Sequence, residues 1–196
     1  ILDIGCGGGI AAFATDANIV IGVDHQQEML EMFQKNGELR GRSVLTHLGF
    51  WPDISKEVSQ ADVVVAHHVM YNVQRVEDFL IELNAHALKR VVLELPQMHP
   101  QAGATGLWNY FWNIERPTRP RPEDLMDVIS ELGIQAHLEL WEGETRNTVS
   151  LEMEAHFARI RLCLPPHREP DVLEFLRNHP AQKLRPLATI WWDIQR

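Results

Sequence analysis

The sequence has only two cysteines, Cys6 and Cys163, too few for a disulfide framework or a cysteine-built zinc site. That scarcity fits a reducing compartment, and a cytoplasmic setting is expected. No apolar run reaches the roughly 18 residues of a membrane span. The nearest stretch, VVVAHHVM at 63–70, is too short. Basic residues are also scarce, with 18 Lys and Arg against 27 Asp and Glu and a formal net charge of −9 at pH 7. Proteins hold nucleic acid by neutralising its phosphates, so this balance argues against a duplex nucleic-acid partner while leaving room for a local basic groove. The first residues read as strand rather than signal peptide, and no internal repeat, low-complexity tract or domain linker is visible. The chain opens on Ile1 rather than a methionine, so a segment upstream of it is expected.

What remains is an ordinary globular composition, 45% hydrophobic and 23% charged over 196 residues. That is enough chain for one domain with a full core, so residues 1–196 are read as a single domain. Strand-like runs occur at ILDIG, IVIGVD, RSVLTHLGF, ADVVVAHHVM and RVVLELP. Between them lie the helical patterns QQEMLEMFQKNG and VEDFLIELNAHALK, and small residues in GGGIAAFATDA suit a docked helix start. In the second helix Phe79, Leu80, Leu83, Ala87 and Leu88 make one stripe. This alternation predicts right-handed βαβ units and a parallel sheet covered on both faces.

The rhythm breaks after Pro96. Residues 97–121 are rich in Pro, Gly and Trp without a clear period and read as a long functional loop. RPEDLMDVISELG restores a helix, with Pro122 near its start and Gly133 at its end. QAHLELWEG and RPLATIWWDI read as the last two strands. Helices over TVSLEMEAHFARIRLCL and EPDVLEFLRNH form an insertion between them at 147–182.

The glycines separate cofactor classes. A dinucleotide loop needs G-x-G-x-x-G, which from Gly5 would require glycine at position 10, where Ile10 stands. The chain instead reads Asp3-x-Gly5-x-Gly7-x-Gly9, and Asp24 ends the second strand. An acid there can accept both hydroxyls of a ribose diol. Glycine removes Cβ, so backbone can approach a ligand closely.

With those residues and AHHVMYNV after the fourth strand, the chain resembles the class I methyltransferases that use S-adenosylmethionine. WPDI, HHVMYNV, ELPQMHP, RPTRP and RLCLP make it similar to a bacterial group of methyltransferase-domain proteins of unassigned substrate. The resemblance implies a Rossmann-like, doubly wound α/β fold of seven strands, mostly parallel with an antiparallel last strand. It implies that Asp3 positions the methionine end of the cofactor and that Gly5, Cys6 and Gly7 line its methionine and ribose part. Asp24 would hold the ribose diol with His25 beside the adenine. The family often has an acid after the third strand for the adenine amine. GFWPD stands there instead: Phe50 or Trp51 departs from the pattern and Asp53 lies further along, so the adenine would stack on an aromatic ring or bond to backbone. Ala66 and His67 would offer carbonyls to the cofactor ammonium.

A base is needed only if the acceptor must lose a proton. His68 is the candidate, with Tyr71 and Asn72 as orienting groups. A histidine bonded within the fold is the competing reading. His67 and His68 together could suggest a metal, but neighbours on a strand point to opposite faces, so no metal is expected. Tyr71, Trp108 and Trp112 are the candidate acceptor contacts, and Arg116 could pair with an acceptor anion. The alternative is that these aromatics close the core and that Arg116, with Arg119 and Arg121, forms a solvated rim. The expected activity is methyl transfer to a small molecule, leaving S-adenosylhomocysteine. The alternative is a non-catalytic module or partner subunit that binds the cofactor or its product. The acceptor and the oligomeric state are not legible.

Overall fold

The computed structural model describes residues 1–144, 149–180 and 184–195. Its seven strands are β1 Leu2–Ile4, β2 Ile19–Asp24, β3 Ser43–Leu48, β4 Ala61–His67, β5 Ala87–Pro96, β6 His137–Glu144 and β7 Leu184–Asp193. They form one sheet in the order β3-β2-β1-β4-β5-β7-β6. The first five run parallel, and β7 runs antiparallel to both β5 and β6. This is the Rossmann-like, mostly parallel architecture expected. β1 lies between β2 and β4, so the winding direction reverses at its carboxyl end. Crevices that take ligands form at such a switch point.

The helices are α1 Gln27–Glu38, α2 Val76–His86, α3 Thr105–Trp112, α4 Pro122–Glu131, α5 Leu151–Arg161 and α6 Glu169–Asn178. No helix among the described residues is long and apolar enough to cross a membrane. α2 and α4 bury Phe79, Leu80, Leu83, Leu125 and Ile129 in the main core with Leu2, Val64, Val91, Leu93, Ile190 and Trp192. A second cluster gathers Cys6, Ala12, Val20, Leu30 and Phe33 where α1 meets β2. The Trp192 indole N–H donates to Asn84 Oδ1 at 2.9 Å, which satisfies the one polar atom of a fully buried side chain.

Three expectations from the sequence need correction. The glycine loop does not lead into a regular helix. It makes only a 3₁₀ turn, Ala12–Ala14, because the Thr15 hydroxyl donates to the Ala12 carbonyl at 2.7 Å and ends it. The stripe of α2 stops at His86, whose ring bridges the Glu82 and Ser55 carbonyls at 2.8 and 3.0 Å. Ala87 and Leu88 therefore begin β5. Residues 97–121 are not all loop. They hold a 3₁₀ turn, Pro100–Ala104, and then α3, which ends where Asn113 turns to φ +51°.

α3 forms because it has a partner that local sequence does not reveal. Its Leu107 joins Ala155, Leu162, Leu164 and Val172 of the α5–α6 region in a third, separate cluster. Those two helices occupy the described part of the 147–182 segment; positions 147, 148, 181 and 182 lie outside the described residues. Ser150 caps α5, its hydroxyl accepting from the Met153 amide at 3.3 Å.

Candidate functional site

A cavity of about 640 Å³ opens at the carboxyl ends of β1, β2 and β4. Its size falls in the range of small-molecule sites. The floor is the glycine loop. The Gly5 and Cys6 amides both donate to the Val23 carbonyl, at 2.8 and 3.0 Å, so the chain turns sharply at the end of β1. Gly5 does this at φ +69°, and a Cβ there would lie 2.5 Å from Val69 Cγ2. Gly7 also has a positive φ, +49°, but a Cβ there would meet nothing within 4 Å. Bare backbone at Gly7 thus faces the cavity.

Asp24 ties the floor to the wall. Its Oδ2 accepts from the Gly7 amide at 2.9 Å and its Oδ1 from the Gln26 amide at 3.0 Å. His25 Nδ1 lies 3.5 Å from Oδ1. The His25 ring stacks on Phe50, with centroids 4.8 Å apart and planes 21° from parallel. Both rings line the cavity, and Phe50 is 65% exposed. Trp51 also lines it, while its indole N–H points to the Phe79 carbonyl at 3.4 Å and its ring meets the edge of His86. Asp53 lies on the same wall in an ion pair with Arg75, whose other terminal nitrogen reaches Asp78 at 3.4 Å.

Asp3 is a buried acid with one unpartnered oxygen, Oδ2. Burial pushes its carboxyl up to about 7; the Ala12 amide opposes this and the charge of Asp24 adds to it. Burial also raises the Cys6 thiol, whose sulfur packs in the α1 cluster, so it is no nucleophile at neutral pH.

The fourth-strand histidines differ from the expectation that they face apart. β4 ends at His67, and His68 turns with φ +61°. Both rings then reach one oxygen, Glu94 Oε1, at 3.8 Å from His67 Nδ1 and 3.2 Å from His68 Nε2. The His68 amide donates to the Glu94 carbonyl at 2.7 Å. The neighbouring His68 ring holds the Glu94 carboxyl below its usual range, against the effect of burial, and His67 and Arg185 add to this. Burial holds the His67 imidazole below its usual range. Among the described residues, no group of three or more His, Cys, Asp or Glu is arranged to hold a metal ion.

Of the residues singled out from sequence, Gly5, Gly7, Asp24, His25, Phe50, Trp51, Asp53, His67, His68 and Asn72 line the cavity. Asp3, Cys6 and Ala66 are buried beneath it. Tyr71 sits to one side, donating to the Pro96 carbonyl at 2.8 Å with its ring against the edge of His99. Trp108, Trp112 and Arg116 do not line the cavity; they belong to the α3–α5–α6 unit. The Arg116 guanidinium lies over the Trp108 ring at 5.3 Å, and the Trp112 indole donates to the Leu162 carbonyl at 2.9 Å. Glu94 escaped the sequence reading. Its one signal was a lone acid in the apolar strand VVLELP.

Residues 2–90 match the family model of a methyltransferase domain. No curated protein matches the sequence. Among solved structures, the YcgJ protein of Bacillus subtilis superposes with a TM-score of 0.62 at 16% identity, covering 100% of this chain and 91% of that one. A putative methyltransferase from Bacillus halodurans gives a TM-score of 0.60 at 13% identity, with 100% and 92% covered. Magnesium protoporphyrin IX methyltransferase from Synechocystis, solved with bound S-adenosylhomocysteine, gives 0.56 at 14% identity, with 96% and 72% covered. At these identities the likeness is one of fold.

Proposed function

We propose that the chain is a class I, S-adenosylmethionine-dependent methyltransferase that methylates a small molecule by in-line displacement, a reading supported by the match of residues 2–90 to a methyltransferase domain. The observation that carries this reading is the Asp24 carboxylate at the cavity wall, tied to the bare backbone of Gly7. The residues present fit the cofactor. The cavity has room for a nucleoside and more, and Asp24 is an acid at the end of β2 where a ribose diol needs one. His25 and Phe50 offer aromatic faces to a base, and Asp3 keeps an unused oxygen beneath the loop.

When bound, the cofactor supplies an electrophilic methyl on a sulfonium, which is the hard part of the chemistry. The chain has three tasks. Gly5 and Gly7 let the backbone close on the cofactor, and Asp24 orients its ribose. Trp51 and Val69 exclude water from the wall. His68 stands at the cavity past β4 and takes a proton from the acceptor where the acceptor carries one.

The charges on the wall favour a small acceptor over nucleic acid. Arg75 on that wall is paired with Asp53 and Asp78, so it presents no free cation to phosphate. The reading is tested by calorimetric titration of the chain with S-adenosylhomocysteine and with NAD. Saturable heat with the first, lost in Asp24→Ala, supports it. Heat with NAD alone ends it. A screen of acceptors with labelled methyl donor then separates an enzyme from a binding module.

A further inference from the structure

A second, smaller space of about 280 Å³ opens where β5 ends and β7 begins. It is lined by Pro96, Met98, His99, Pro100, Arg185 and Pro186. One 3₁₀ turn, Met70–Asn72, serves both spaces. Asn72 lies on the wall of the first cavity. Tyr71 donates to the Pro96 carbonyl at 2.8 Å and sets its ring against His99, on the wall of the second. β5 joins them as well. Glu94 lies beside His67 and His68 of the first cavity, and Pro96 stands two residues further on the same face of the strand.

The lining is poor in polar groups. Proline has no backbone N–H, so Pro96, Pro100 and Pro186 offer no main-chain donor. The Pro96 carbonyl already accepts from Tyr71, and the Pro186 carbonyl accepts from the Gln97 amide at 3.0 Å. Their rings and the thioether of Met98, a residue 43% exposed, present an apolar surface to an incoming ligand. Thioethers pack well against ring edges.

Arg185 is the fixed charge on this surface. Arg42, Arg75, Arg90, Arg159 and Arg168 each pair with a carboxylate. Among the described residues, none hydrogen-bonds or ion-pairs with the Arg185 guanidinium, although its charge reaches Glu94. No carboxylate lines the pocket among those residues either. A guanidinium has five donors and no acceptor, and its planar fork matches a carboxylate.

We propose that this pocket is the anion subsite of the methyl acceptor, and that the acceptor is a small carboxylic acid with an apolar, ring-sized body. The carboxylate pairs with Arg185, and the body lies against the prolines and Met98. The acceptor's part in this rests on the methyl-transfer reading; the carboxylate site rests on the pocket alone. An ammonium ligand finds no acid there, and a phosphate dianion finds a single guanidinium.

Two methionines report on the two spaces, Met29 in the first and Met98 in the second. The test is NMR of the chain carrying ¹³C-methyl methionine, the two signals assigned by their loss in Met29→Leu and Met98→Leu. Benzoate should shift Met98 saturably and leave Met29 in place. Benzamide, which has the shape without the charge, and inorganic phosphate should produce no saturable shift over the same concentrations. Arg185→Gln should weaken benzoate by roughly ten- to a hundredfold for a lost charge-assisted bond. Arg177→Gln, which removes the same charge from α6, should leave it unchanged. S-adenosylhomocysteine should shift Met29 in the parent and in Arg185→Gln alike, which shows that the variant is folded. No saturable shift with benzoate, an equal shift with benzamide or phosphate, or full benzoate affinity in Arg185→Gln overturns the carboxylate site. In a screen with labelled methyl donor, turnover of an uncharged acceptor that Arg185→Gln leaves intact overturns its assignment to the acceptor. Failure of S-adenosylhomocysteine to shift Met29 removes the methyl-transfer reading instead, and the Met98 titration still decides the carboxylate site.

Discussion

The Gly7 amide donates to Asp24 Oδ2 at 2.9 Å across 17 positions of chain. With the Gln26 amide on Oδ1, one carboxylate holds both the glycine loop and the entry to α1. A ligand bound by Asp24 therefore meets a group already fixed in place. Pre-organisation of this kind lowers the ordering cost of binding.

Asp24→Ala should thus impair both stability and affinity. It leaves two backbone amides without their acceptor, at a cost of about 1–3 kcal/mol for each one kept from water. Asp24→Asn retains one side-chain acceptor oxygen and should lose less stability. Both should bind S-adenosylhomocysteine more weakly, by roughly ten- to a hundredfold for a lost charge-assisted bond. Urea melts and calorimetry on the two variants check this. Full affinity in Asp24→Ala would remove Asp24 from the site.

Gly7 and Gly9 separate two reasons for a glycine. Both have positive φ, +49° and +84°. A Cβ at Gly9 would lie 2.2 Å from Phe13 Cε2 and 2.8 Å from Phe33 Cδ2. Gly9→Ala should therefore disturb the α1 cluster and destabilise the fold by about 1–3 kcal/mol or more. At Gly7 the methyl meets only open space, so Gly7→Ala should cost about 1–2 kcal/mol of backbone strain. Its larger effect should be on ligand affinity, because the methyl enters the cavity. Melting curves and titrations should rank the variants in opposite orders.

The sheet was legible because buried parallel strands write themselves as continuous apolar runs, as in IVIGVD and VVLELP. The loop and Asp24 were legible because close backbone approach needs glycine at fixed spacing. α3 was not, because Leu107 is explained only by Leu162 and Val172, far along the chain. Nor was the Glu94–His68 pair. It arises from the parallel register that sets His67 beside Glu94 and from a positive φ at a non-glycine residue, and neither has a local sequence signature. Opposite faces for His67 and His68 would hold in a continuing strand, but β4 stops between them.

Asp3 makes stability depend on pH. Burial in the fold pushes its carboxyl from the ordinary 3.8 up to about 7. Between those values the folded chain keeps a proton that the unfolded chain has released. Raising pH through that window therefore favours unfolding, and the contribution is fully lost above about 7. The ligand-free chain should lose stability from pH about 4 to about 7 through this group. Asp3→Asn should remove that component, so the difference between variant and parent should grow in the variant's favour as pH rises. Chemical denaturation at several pH values measures it; a difference independent of pH would show that Asp3 ionises normally.

The α3–α5–α6 cluster shares no buried member with the main core, so it should open on its own. Leu162 is 1% exposed and packs only in this cluster. Leu162→Ala should cost about 2–5 kcal/mol where it is felt. Hydrogen exchange should quicken in α3, α5 and α6 and stay unchanged in β1, β2 and β4. S-adenosylhomocysteine affinity should also hold, because none of these helices lines the cavity. Arg116→Ala, which removes the guanidinium over Trp108, should likewise leave that affinity intact. Any effect on turnover with an identified acceptor would then be an effect on the acceptor alone. Loss of S-adenosylhomocysteine binding in either variant would instead couple the helical unit to the cofactor cavity.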